Sequence, residues 1–223
     1  MVTAEIYDEF DSGDHDESLF ARIANDLIEK GYSICPAALP LDLCAAISEQ
    51  LESLDANEFK PAGIGRGDEH NNNEFVRSDK ICWFTGETET GARWLEWSAA
   101  LQRYLNSRLF LGLFSYEGHL AHYKAGDFYK RHYDAFRGAR TRVVSTVVYL
   151  NQNWGAEDGG ELVLYRDDAD QEGIKVTPLM GTIVVFLSEE FPHEVLPANR
   201  DRFSIAGWYR VNGSTADRVD PPR

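Results

Sequence analysis

TRVVSTVVYLN (residues 141–151) decides the fold, because its β-branched and aromatic side chains suit a pleated strand better than a helix. Working outward, GELVLYR (160–166), IKVTP (174–178), GTIVVFLS (181–188), HEVLP (193–197) and DRFSIAGWYRV (201–211) follow, and LFLGLFSYEGHLAHYKA (109–125) precedes. Turn-forming clusters separate these runs and no helical pattern intervenes. They predict an antiparallel jelly roll, a double-stranded β-helix.

The chain before residue 109 reads differently. Leu19, Phe20, Ile23, Leu27 and Ile28 recur at helical spacing, with Ser18 placed to cap and Gly31 to stop. GYSIC (31–35) predicts a short strand. Further helices are expected over 41–54, on a stripe of Leu43, Ala46, Ile47, Leu51 and Leu54, and over 88–108. Helices first and strands afterwards make the class α+β, with the helices packed on one sheet. The expected organisation is an acidic, flexible 1–17, one domain over 18–210 (helical support and a loop to 108, jelly roll from 109), and a flexible tail over 211–223. Residues 56–80 carry GIGRGDEHNNNE and no periodicity, which reads as a surface loop or as a lid over a site.

Charge and cysteines narrow the function. A formal net charge of −15 argues against a nucleic-acid partner, which calls for a basic face. The N-terminal residues carry no apolar run of signal-peptide type, and no stretch is apolar enough to span a bilayer. Cys35, Cys44 and Cys82 form no paired motif, so the expected setting is a reducing, cytoplasmic one.

The chemistry is expected around His132. In YKRHYD, Asp134 lies two residues on, so an extended backbone points both side chains the same way. His119 and His122, three apart, fall on opposite faces. His193 is the remaining candidate for a third metal ligand. Two imidazoles and one carboxylate on one face of a metal suit non-haem Fe(II), with positions left open. H-x-D alone is a weak signal, and Arg202 strengthens it. HEVLPANRDRFSIAGWYR reads as a hairpin that returns Arg202 beside His193, on a face shared with Ala206 and Trp208. A guanidinium facing a barrel interior calls for an anion, either a carboxylate guest or an internal acid. Val143, Ser145 and Val147 are expected on the interior wall beside Tyr149.

From Arg77 to Arg210 the chain resembles the 2-oxoglutarate- and Fe(II)-dependent prolyl hydroxylases of the type that acts on hypoxia-inducible factor, and their bacterial relatives. The resemblance runs through RSDKICW (77–83), YKAGDFYKRHYD (123–134), RVVSTVVYLNQNW (142–154), DGGELVLY (158–165) and PHEVLPANRDRFSIAGWY (192–209). It implies His132, Asp134 and His193 as iron ligands. Arg202, Tyr149 and Tyr123 would hold 2-oxoglutarate, and Arg77, Asp79, Arg142 and Trp208 would surround a peptide entrance. It further implies O2 as co-substrate, ascorbate as reductant, and a protein partner bearing a target proline, with elongation factor Tu the leading candidate among bacterial members. The alternatives are the same chemistry on a free amino acid or another small substrate, a cupin-like metal protein without oxygenase activity, and a non-catalytic β-barrel module.

Overall fold

A computed structural model describes residues 12–55, 57–62, 76–135 and 141–213, with residues 12–15 described by their backbone alone. Helix α1 (Ser12–Lys30) begins seven residues earlier than its apolar stripe, which starts at Leu19. The Trp97 indole donates to Asp16 at 3.1 Å, so this part of the acidic segment is anchored. Leu19, Phe20, Ile23, Ala24 and Leu27 form the buried stripe. Gly31, at φ +78°, ends the helix where a Cβ would lie 2.8 Å from the Phe191 ring. Strand β1 (Tyr32–Cys35) and helix α2 (Leu41–Ser53) follow. Strands β2 (Lys60–Pro61) and β3 (Lys80–Trp83) precede helix α3 (Glu89–Leu109), which Thr88 caps by accepting from the Gly91 N–H. The Asn-rich stretch considered as a lid falls largely in 63–75, outside the described residues, as do 1–11 and 214–223.

The β region supplies β4 (Ser115–Tyr123), β5 (Tyr129–His132), β6 (Arg142–Tyr149), β7 (Leu162–Leu164), β8 (Ile174–Val176), β9 (Ile183–Leu187), β10 (His193–Val195) and β11 (Arg202–Arg210). They form an antiparallel major sheet, β1-β9-β6-β11-β4-β3-β2, and a minor sheet, β5-β10-β7-β8. A jelly roll is what the apolar runs required. Short β2 and β5 carry no apolar run of their own and join the sheets through pairing with β3 and β10.

The major sheet uses both faces. Its outer face offers Leu120, Val144, Val148, Ile183, Val185, Ile205 and Tyr209 to the three helices. The Tyr209 hydroxyl donates to the Ser98 carbonyl of α3 at 2.9 Å. Its inner face meets the minor sheet around Tyr123, Tyr149, Val184 and Phe186, against Leu162, Leu164, Val176 and Val195. The site lies between the sheets.

Two expectations are corrected. His193 and Arg202 do not belong to one hairpin: β10 pairs with β5 and β7, whereas β11 pairs with β4 and β6. The intervening turn is held elsewhere, with Ala198 O accepting from Gly126 N and Asn199 N donating to Asp158 O. The chain therefore crosses from one sheet to the other, and the two side chains approach the interior from opposite walls. Val143 is also not an inner-wall residue. Tyr209 pairs with Val144 and Arg210 with Arg142, leaving Val143 as an extra residue in a bulge. A bulge inverts the alternation beyond it. Val143 packs against the helix-side core, and Arg142 takes the inner position over Trp208.

Truncating Ile23, fully buried in α1, to Ala should lower stability by about 2–5 kcal/mol. Urea unfolding measures this, and an unchanged midpoint would mean that α1 does not seal the outer face of the sheet.

Candidate active site

His132 and His193 stand directly opposite each other on β5 and β10, with ring centroids 4.3 Å apart. β5 ends at His132, and Asp134 occupies the bend just beyond. Its carboxylate reaches back between the imidazoles, Oδ1 lying 3.6 Å from His132 Nε2 and Oδ2 3.7 Å from His193 Nε2. One ligand atom from each residue falls within 4.8 Å of the others. These separations are too long for good hydrogen bonds and suit donors arranged about a shared cation.

Backbone geometry fixes the tautomers. His132 Nδ1 lies 2.7 Å from the Lys130 carbonyl, and His193 Nδ1 lies 3.1 Å from that of Phe191. A carbonyl only accepts, so each Nδ1 carries a proton and each Nε2 is the nitrogen turned toward Asp134. Burial brings His193 down to about 4, which leaves it neutral. Burial would raise Asp134, but His193 and His132 when protonated, together with Arg142, hold it well below the usual carboxylate range. The donor set is two imidazoles and a carboxylate, suited to a divalent metal such as Fe(II). A cleft of about 300 Å³ lined by Arg131, His132, Tyr133, Asp168 and Pro192 opens beside it.

Arg202 projects from the opposite wall and is 1% exposed. Its Nε donates to the Gly160 carbonyl at 2.8 Å and its Nη1 to Ser204 at 3.2 Å. Gly160, at φ +69°, permits this approach, since a Cβ there would lie 3.1 Å from Arg202 Cδ. Among the described residues no Asp or Glu forms an ion pair with Arg202. The rings of Tyr123 and Tyr149 lie 5.0 and 5.2 Å from the guanidinium carbon. Among the described residues the buried Tyr149 hydroxyl has no hydrogen-bond partner. Burial pushes it up to about 12, the Arg202 charge opposing the rise. A buried cation lacking an acid and a buried hydroxyl lacking a partner fit a guest carboxylate, as 2-oxoglutarate would supply.

The four residues expected around a peptide entrance form two clusters. Arg77 grips Asp79 through two bonds of 2.7 and 2.6 Å and lies over the Tyr129 ring. Arg142 donates to Glu117 through Nε and Nη2 and lies 3.7 Å from the centroid of Trp208. Glu117, Tyr129 and His119 were not legible in the sequence as site residues. Tyr129 stacks on His132 at 3.6 Å although three positions separate them. A register shift in β5 makes this possible, and simple alternation would have placed the rings on opposite faces. His119 does lie on the face opposite His122, and that face is the interior, between Trp83 and Trp208. Burial, with Arg77 nearby, brings it down to about 4.

The comparisons agree with this geometry. The 2OG-Fe(II) oxygenase superfamily model matches residues 118–210. The crystal structure of a Pseudomonas putida prolyl-4-hydroxylase is 40% identical, with 87% of this chain and 100% of that chain covered and a TM-score of 0.76. A prolyl hydroxylase from Trichoplax adhaerens, solved with a fragment of the oxygen degradation domain of hypoxia inducible factor, is 26% identical over 92% of this chain and 94% of its own, TM-score 0.78. Human Egl nine homolog 1 is 30% identical over 143 residues, 60% of this chain and 33% of that protein, so the chain spans a third of that relative's length. The chain belongs to the 2-oxoglutarate- and Fe(II)-dependent oxygenase superfamily, among the prolyl hydroxylases.

Proposed function

We propose that this protein hydroxylates a prolyl residue of a protein substrate, consuming 2-oxoglutarate and O2 and releasing succinate and CO2. The carrying observation is the pairing of two opposed features. On one wall stands a triad of metal-ligating atoms within 4.8 Å of one another. On the other is a buried arginine that pairs with no acid among the described residues. In this reading His132, Asp134 and His193 hold the iron. Arg202 and the Tyr149 hydroxyl fix the far carboxylate of 2-oxoglutarate, and Tyr123 lines its pocket. When bound, Fe(II) supplies the activation of dioxygen, with ascorbate available to keep it reduced. The protein supplies orientation and a dry wall. Ser145, Val147 and Phe186 line that wall.

A peptide substrate fits the entrance better than a free amino acid. Arg77, Asp79, Arg142 and Trp208 present paired charges and an aromatic face that a free proline would not span. The Trichoplax relative was solved with a peptide. By resemblance to bacterial members, elongation factor Tu is the leading substrate, which fits a cytoplasmic setting. Among the described residues no helix is long and apolar enough to cross a membrane.

Three outcomes follow. Incubation with Fe(II) and 2-oxoglutarate should add one oxygen atom to a proline-bearing peptide and none to free proline, read by intact mass and fragmentation. The reverse selectivity would refute the protein-substrate reading. Asp134→Ala should abolish coupled succinate formation, whereas full turnover would remove the metal assignment. Tyr149→Phe separates binding from stability. It should weaken 2-oxoglutarate binding by about 5- to 150-fold, the cost of one lost buried hydrogen bond. The metal-free protein should melt no lower than wild type, because the lost hydroxyl had no partner. An unchanged KM for 2-oxoglutarate would place the carboxylate elsewhere.

A further inference from the structure

Asp134 is the ligand with the least secondary structure behind it. His132 and His193 are fixed by their strands and by carbonyls on their Nδ1 atoms, while Asp134 occupies a bend followed by 136–140, outside the described residues. Its anchor comes from the opposite sheet. Ser145 of β6 donates to Asp134 Oδ2 at 2.6 Å, and Ser145 Oγ lies 2.9 Å from Ser188 Oγ, just past β9. Both serines are buried, at 1% and 0% exposed.

The proton directions follow from counting. An ionised carboxylate only accepts, and a serine has one proton. Ser145 spends that proton on Asp134, so the Ser188 hydroxyl must donate to Ser145. The chain runs one way, from Ser188 to Ser145 to Oδ2, and each bond polarises the next. Oδ2 is thereby engaged by the protein, while Oδ1 faces His132 Nε2 at 3.6 Å.

We propose that Ser145 and Ser188 are positioning residues that commit Oδ2 of Asp134 to the protein and present Oδ1 alone to the metal. Single-oxygen ligation keeps the carboxylate from taking a second coordination position, so the open positions stay available to 2-oxoglutarate and O2. The inference rests on the metal reading above and extends it to two hydroxyls that touch neither metal nor substrate.

The test compares near-isosteric variants, Ser145→Thr, which keeps the hydroxyl, and Ser145→Val, which removes it, together with Ser188→Ala. Metal-free proteins are titrated with Co(II), and their melting is recorded without metal. Wild type and S145T should bind Co(II) alike. S145V should bind at least about tenfold more weakly, the usual consequence of losing a hydrogen bond to a ligand, and S188A should fall between. With Co(II) saturating, S145V should also lose 2-oxoglutarate affinity, as a second carboxylate oxygen competes for its position. A folded S145V that binds Co(II) within twofold of wild type overturns the proposal. Should S145V melt too low to titrate, S188A carries the test, and wild-type affinity in that variant overturns it equally. Failure of the wild type itself to bind Co(II) instead overturns the metal reading on which the proposal stands.

Discussion

A carboxylate buried between two imidazoles is the constraint on which this structure turns, because such a set calls for a cation. Asp134 lies well below the usual carboxylate range, and both His Nε2 atoms face the space it shares. Electron-rich groups gathered this way repel one another and have forfeited hydration. A divalent ion relieves both costs. The interaction with that ion explains why strand pairing, tautomer-setting carbonyls and buried serines converge on one point.

The sandwich makes the convergence possible. Its minor sheet supplies the imidazoles from adjacent strands in direct register. Its major sheet supplies Arg202, Tyr149, Ser145 and Trp208 from the facing wall. A metal and an anion site are thereby set opposite each other across an apolar interior. The helices contribute nothing to the chemistry directly. They cover the outer face of the major sheet, which would otherwise expose Val144, Val148, Val185 and Ile205.

Much of this was legible in the sequence because its signals are local. The apolar runs report the jelly-roll strands, and the closeness of His132 and Asp134 in sequence reports two ligands, although a bend after His132 and not an extended strand turns Asp134 toward it. The period-two set Arg202, Ala206 and Trp208 likewise reports one inner face. What escaped was not local. The supposed hairpin fails because nothing between His193 and Arg202 announces a change of sheet. Val143 and Tyr129 were misplaced or missed because a single extra residue inverts alternation, and a bulge leaves no compositional trace. Glu117 and Ser188 acquire roles only through partners distant in the chain, and the helical spacing that located α1 could not mark its start at Ser12, where the apolar stripe is absent.

The central claim is geometric, and anomalous diffraction from crystals grown with Mn(II) and 2-oxoglutarate tests it most directly. The account predicts one manganese peak within bonding distance of His132 Nε2, Asp134 Oδ1 and His193 Nε2, with the far carboxylate of 2-oxoglutarate on Arg202 and the Tyr149 hydroxyl. A peak elsewhere, or a dicarboxylate bound away from Arg202, would contradict it.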